Sequence, residues 1–213
     1  PLKKYRRHIF LLHPNKVVIY DELEANEKVR WDWLLHSPVK FDINPAASIL
    51  TTVNKEKGFS SVVQLFCEQE AAITQTDKYA APPNHADAQR GEDFTDPWSL
   101  TASFGPSRNN RILTIIQVEA DGRQAVQIMR EGNTFRCGEW VIEAELNAKR
   151  PGRLYIRNSR NNAVFSYGDK KPEINGELYS CKEKDASVLF DCVNGEWTVQ
   201  EMGDQRVQTM GKW

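Results

Sequence analysis

The stretch from Arg6 to Ala25, R-R-H-I-F-L-L-H-P-N-K-V-V-I-Y-D-E-L-E-A, decides how the rest of the chain is read. Two apolar-rich runs, Arg6–Leu12 and Val17–Glu24, flank Pro14-Asn15. Proline presets φ and asparagine tolerates the tight backbone of a turn, so the stretch predicts an antiparallel hairpin. Immediately downstream, Val29, Trp31, Trp33 and Leu35 alternate with Arg30, Asp32 and His36. A period of two puts alternate side chains on opposite faces of a strand, here one apolar face and one mostly polar. Asp21–Lys28 has helix-friendly residues but continues the strand pattern.

The same period runs outward from there. Ser48–Val53 and Ser61–Cys67 lie on either side of Gly58. Ser99–Phe104, Arg111–Glu119 and Ala125–Arg130 follow, and Asp121-Gly122 between the last two predicts a hairpin. Beyond Gly132 the runs shorten: Trp140–Leu146, Arg153–Arg157, Val164–Tyr167, Glu177–Lys182, Ser187–Asp191, Trp197–Gln200 and Arg206–Met210. Many short strands punctuated by Pro-Gly and Asn-Gly pairs predict an all-β, antiparallel fold, a β-sandwich or a barrel. The change near Gly132–Gly138 divides it into a larger layer over residues 1–131 and a smaller C-terminal unit over residues 132–213. Thr76–Pro97 breaks the pattern, with Pro82-Pro83, Gly91 and acidic residues that include Asp77, Asp87, Glu92 and Asp93. A segment of that length without periodicity predicts a functional or disordered loop.

The chain has 213 residues, 40% apolar and 27% charged, with a net charge of −1, the balance of a folded domain. That charge supplies no global attraction to nucleic acid, and no apolar run is long enough for a membrane-spanning helix. The first residue is Pro1 rather than Met, as in a processed product or an excised part of a longer chain. Cys67, Cys137, Cys181 and Cys192 lack metal-type spacing. They read as free thiols packed as small hydrophobes, with Cys181–Cys192 as the alternative bridge if both fall in one hairpin.

Searches for chemistry return few constellations. No nucleophile elbow, phosphate loop, dinucleotide fingerprint or zinc-protease motif is present, and no cofactor is implied. His85 and Asp87 form an H-x-D in the long loop, read as a solvated pair or as two metal ligands lacking a third. His36, beside Ser37-Pro38, either hydrogen-bonds the turn or faces a sugar or partner domain. Lys3, Lys4, Arg6 and Arg7 make one basic cluster, and Arg153, Arg157 and Arg160 another. Each is either a solvated strand face or a patch for acidic glycans, where guanidinium groups bind carboxylates bidentately.

The run Arg6–Ala25 resembles the pattern R-R-x-Φ-Φ-F-x-K-P-x-Φ-Φ-Φ-Φ-D-E-Φ (Φ apolar) of the β-sandwich part of heparinase II/III-like polysaccharide lyases. Trp31–Pro38, W-D-W-L-L-H-S-P, is similar to that family's next strand. These segments cover about the first fifth of the chain; Val62–Cys67 and Trp98–Gln117 are compatible with later strands, and the residues after Gly132 match only in kind. The resemblance implies an N-terminal helical toroid followed by β-sandwich layers, and cleavage of uronic-acid polysaccharides by β-elimination. That reaction neutralises the uronate carboxylate, removes the C5 proton and protonates the leaving oxygen. In the family, a tyrosine and one histidine come from the toroid, and a second histidine and the metal-binding residues precede the hairpin matched here. No catalytic residue carries over; Tyr5, Tyr20 and Tyr79 sit in no matching motif.

With the resemblance, the expectation is a non-catalytic C-terminal portion, an antiparallel β-sandwich of supersandwich-like form, inactive alone, packed on the toroid of its parent chain in a periplasmic or extracellular setting. Contact with substrate or toroid is expected from His36, Arg6, Arg7, His85, Asp87, Arg153 and Arg157 and from the long loop. The alternatives are a freestanding carbohydrate-binding module for acidic polysaccharides and a purely structural sandwich.

Overall fold

The computed structural model describes residues 2–78, 97–120, 122–158, 163–169, 172–174, 177–181, 186–193, 196–201 and 208–212. The chain is all-β and separates into two compact units, Pro1–Ala125 and Val126–Trp213, a division that falls upstream of Gly132.

The first unit contains β1 (Leu2–Leu12), β2 (Lys16–Ser37), β3 (Asp42–Asn44), β4 (Ile49–Asn54), β5 (Phe59–Phe66), β6 (Ala72–Thr76) and β7 (Trp98–Ala120). They form one antiparallel sheet in the order β1-β2-β7-β5-β4-β3, with β6 beside the first part of β7. β2 and β7, of 22 and 23 residues, stay paired from Lys16↔Gln117 to Ser37↔Trp98. Halfway along, the register slips between Glu24 and Val29 and again between Val29 and Trp31. Extra residues on one strand bend it. On the facing strand the bend is matched by Gly105, whose φ of +102° suits glycine alone.

The bend folds one face of the sheet over a core, while Val18, Tyr20, Leu113 and Ile115 are buried on the other face. Leu50, Val63, Leu65 and Ile112 from one limb cluster with Trp31, Trp33, Leu100, Ala102 and Phe104 from the other. A buried tryptophan removes enough apolar area from water to contribute on the order of 4 kcal/mol. Phe41, between β2 and β3, closes the end of this core. Gln75 of β6 holds it there, accepting from the Phe41 N–H at 3.0 Å and donating to its carbonyl at 2.9 Å.

The second unit contains β8 (Met129–Glu131), β9 (Thr134–Cys137), β10 (Trp140–Ala144), β11 (Leu154–Asn158), β12 (Val164–Tyr167), β13 (Glu173–Ile174), β14 (Glu177–Leu178), β15 (Ser187–Val193), β16 (Glu196–Glu201) and β17 (Gln208–Lys212). Eight of these strands form an antiparallel meander, β17-β16-β15-β12-β11-β10-β9-β8, and β13–β14 is a separate small hairpin between β12 and β15. Val164, Val188, Phe190, Trp197 and Val199 cluster on one face with Cys181, and Tyr155 and Tyr179 pack against them. Tyr179 meets Phe190 edge-on at 5.3 Å.

Two expectations are corrected, and the reading of the cysteines holds. Val17–Glu24 and the Trp31–Leu35 run are one strand, as are Ser99–Phe104 and Arg111–Glu119, because bulges absorb the irregular residues between them. The hairpin at Asp121-Gly122 does not form: both sides of β7 are already occupied by β2 and β5, and β8 pairs with β9 instead. The cysteines are thiols outside any disulfide, as the leading reading has them, and the alternative Cys181–Cys192 bridge does not form. Cys192 lies on β15 opposite Trp197 of β16, whereas Cys181 follows β14, whose partner is β13, so the two are not in one hairpin.

Gly105 supports a sharp test. A Cβ there would lie 2.9 Å from the Ser107 nitrogen and 3.1 Å from the Val29 carbonyl oxygen, both backbone atoms. Gly105→Ala should cost about 2–3 kcal/mol, combining the positive φ with the forced backbone shift. Urea denaturation with an unchanged midpoint would refute this account of the bend.

Candidate functional site

The first basic cluster resolves into a cross-strand ion-pair ladder. Antiparallel pairing of β1 with β2 sets Arg7 opposite Asp21 and Arg6 opposite Glu22. Arg7 grips Asp21 bidentately, Nε at 2.6 Å and Nη2 at 2.9 Å. Lys4 reaches Glu22 at 2.8 Å, Lys3 pairs with Glu24, and Arg111 of β7 approaches Glu22 from the other side at 3.5 Å. Asp21 is 1% exposed at its side chain and Arg7 34%. Burial therefore raises the Asp21 carboxyl above its ordinary value, against the lowering effect of the Arg7 hydrogen bonds and charge.

A cleft of about 280 Å³ opens beside this ladder, lined by residues that include Tyr5, Arg7, Asp21, Asp32 and Trp33. Its charges are committed to one another. Asp32 takes two guanidinium contacts from Arg30 at 3.0 Å and the Ser103 hydroxyl at 2.6 Å, which together hold its carboxyl below the usual value. Trp31 donates its indole N–H to Ser107 and is buried, so it presents no open face to a ligand. His36 is exposed opposite Ser99, away from this cleft. The turn beside it is held by Ser37, whose hydroxyl accepts from the Val39 N–H at 3.2 Å.

The second basic cluster behaves differently. β11 alternates, so Arg153, Tyr155 and Arg157 share a face while Leu154 and Ile156 are buried on the other. Glu143 of β10 lies directly opposite Tyr155, and Val141 opposite Arg157. Gly168, at φ +82°, passes so close to Gly152 that a Cβ would strike the backbone there. This approach brings Asp169 to Arg153, whose Nε donates to it at 2.9 Å. Pro172, Glu173 and Leu178, around the β13–β14 hairpin, complete a groove of about 560 Å³ with these residues. That is within the usual range for a ligand site. Burial raises the Tyr155 phenol above its ordinary value, with nearby Arg157 opposing the rise.

Arg153 and Arg157 are thus brought together, while Arg6 and Arg7 belong to the first unit. The groove adds Tyr155, Glu143, Asp169 and Glu173, which the sequence reading did not select. The alternation Arg153–Tyr155–Arg157 was the available signal for Tyr155; Glu143 needed the β10–β11 register. His85, Asp87, Arg160 and nearly all of the long loop lie outside the described residues. Among the described residues, no three His, Cys, Asp or Glu side chains gather as a metal-ligand set. Among the same residues, no helix is long and apolar enough to cross a membrane. No protein-family model matches the chain, and no curated protein matches it.

Two outcomes follow from the ladder. Arg7→Ala leaves the Asp21 carboxylate buried without its partner and should cost about 2–3 kcal/mol in chemical denaturation. Asp21→Asn, which leaves a half-exposed guanidinium in water, should cost less, and the reverse order would contradict the assignment. The second outcome concerns His8, which burial, aided by the charges of Arg6 and Lys4, holds down at about 4 from 6.5. The unfolded chain then binds more protons than the folded one between those values. The contribution of His8 is complete above pH 6.5 and is lost as pH falls toward 4. After allowance for partial exposure it is worth about 1–2 kcal/mol. Denaturation midpoints across this range should slope in the wild type and flatten in His8→Gln.

Proposed function

We propose that this chain is the non-catalytic C-terminal β-sandwich part of a heparinase II/III-like polysaccharide lyase. In the parent enzyme it supports the cleft in which uronic-acid glycans are cleaved by β-elimination, and it packs on a helical toroid supplied by the same chain. The observation that carries the proposal is the hairpin Arg6–Glu24. The polar residues by which it resembles the family are those of the β1–β2 ladder, with Arg7 bidentate on buried Asp21 and Glu22 met by Lys4 and Arg111. Such a motif sets the register of a scaffold hairpin, and its charged groups are engaged with one another rather than open to a substrate.

The division of labour follows from the chemistry. β-Elimination needs a base at C5, an acid at the leaving oxygen and a group that neutralises the uronate carboxylate. A wall whose hairpin charges are internally compensated supplies rigidity for such groups held elsewhere. A periplasmic or extracellular setting belongs to the same proposal.

The test uses heparin, chondroitin sulfate and alginate, with the ultraviolet absorbance of the 4,5-unsaturated uronate as readout. The chain alone should produce no signal above the uncatalysed background. Joined to the toroid region of its parent reading frame, it should produce product that is lost when the toroid's tyrosine is replaced. Turnover by the chain alone, or a parent frame without a helical region upstream, would overturn the proposal.

A further inference from the structure

The groove of the second unit has features that a lyase scaffold does not require. We propose that it binds a neutral, hydroxyl-rich saccharide segment through Arg157, Tyr155 and Glu143, rather than the polyanion that its two arginines suggest. This holds whether or not the chain derives from a lyase.

The first reason is what these groups do in the fold. Arg153 is occupied by Asp169 at 2.9 Å. Arg157, the Tyr155 hydroxyl and Glu143 make no hydrogen bond or ion pair with any described residue, yet all three line the same groove. Tyr155 and Glu143 are adjacent cross-strand partners, and Arg157 is two residues along the same face. The Tyr155 ring packs against the core formed by Val164, Val188 and Phe190. Its hydroxyl is thereby fixed before any ligand arrives, which lowers the ordering cost of binding.

The second reason is charge. Arg153 and Arg157 face Glu143, Asp169 and Glu173, so among the described residues that line it the groove has two positive and three negative groups, a formal net charge of −1. A sulfated or densely carboxylated chain meets like charge there. A sugar hydroxyl can both donate and accept, whereas a guanidinium only donates and a carboxylate only accepts. A polyhydroxylated ligand is therefore the chemistry that satisfies Arg157 and Glu143 together. Leu178, exposed at the groove, supplies apolar surface for the C–H face of a pyranose ring. Groups of both polarities beside one exposed leucine, in an open groove, suit a saccharide better than a flat apolar ligand.

The experiment is isothermal titration calorimetry of the whole chain with cellohexaose, xylohexaose and laminarihexaose, and with a heparin hexasaccharide. The expected result is binding of at least one neutral hexasaccharide that is nearly unchanged in roughly 0.5 M salt, where screening acts within a few ångströms. Arg157→Ala and Tyr155→Phe should each weaken it about fivefold to tenfold, the size of one hydrogen bond. Lys55→Ala, an exposed change in the first unit, should leave it unaltered. Arg157 is exposed and Tyr155→Phe keeps the packed ring, so both variants should melt with the wild type. Failure of all three neutral ligands, tighter binding of heparin that collapses with salt, or neutral binding that survives both substitutions would overturn the proposal.

Discussion

β2 and β7 pair over nearly their whole lengths, and each must serve two limbs of one folded sheet. An antiparallel pair of this length accumulates twist and cannot stay flat. The bulge after Glu24 and the left-handed Gly105 opposite concentrate the direction change in a few residues. Trp31 fixes that point from within, because its indole N–H is bound to Ser107 just beyond Gly105. Once the bend is set, the inner faces of both limbs converge, and the alternating residues of β4, β5 and β6 have one core to enter. The rest of the first unit is a consequence of that convergence.

The edge strand β1 meets a different constraint. Its inner face carries Tyr5, Ile9 and Leu11 in exposed positions, with Leu11 at 78%. An apolar edge strand is a template for unwanted pairing, and charged residues along it are a common defence. Lys3, Lys4 and Arg7 do this while pairing with acids of β2, so the same residues fix the register of the hairpin and discourage a further strand. The cost is the burial of Asp21, whose raised carboxyl value shows that desolvation outweighs the attraction of its partner.

Strand content, the first hairpin and the two-faced Trp31–Leu35 run were legible in the sequence because each depends on a period of two and a local turn residue. Continuity of the long strands was not legible. Gly105-Pro106 and Asn26–Lys28 carry the residue types of turns, and only pairing with a neighbour on the far side turns them into bulges. Asp121-Gly122 misled for a related reason: the dipeptide favours a hairpin, but β7 had no free edge to receive one. The groove was half legible. Arg153 and Arg157 stood out by charge, whereas Glu143 and Asp169 enter through register and a glycine–glycine approach more than a dozen residues from Arg153 in the chain.

The two basic clusters show why charge runs need register before they carry function. Both place guanidinium groups on exposed strand faces. In the first, the facing strand supplies a carboxylate opposite Arg7, and the pair becomes part of the scaffold. In the second, the residue opposite Arg157 is Val141, which offers no countercharge. Among the described residues its guanidinium meets no carboxylate, while Arg153, near the strand end, is neutralised by Asp169. A carboxylate opposite Arg157 would have made β11 another ladder; its absence at that single register position is what sets the second cluster apart from the first.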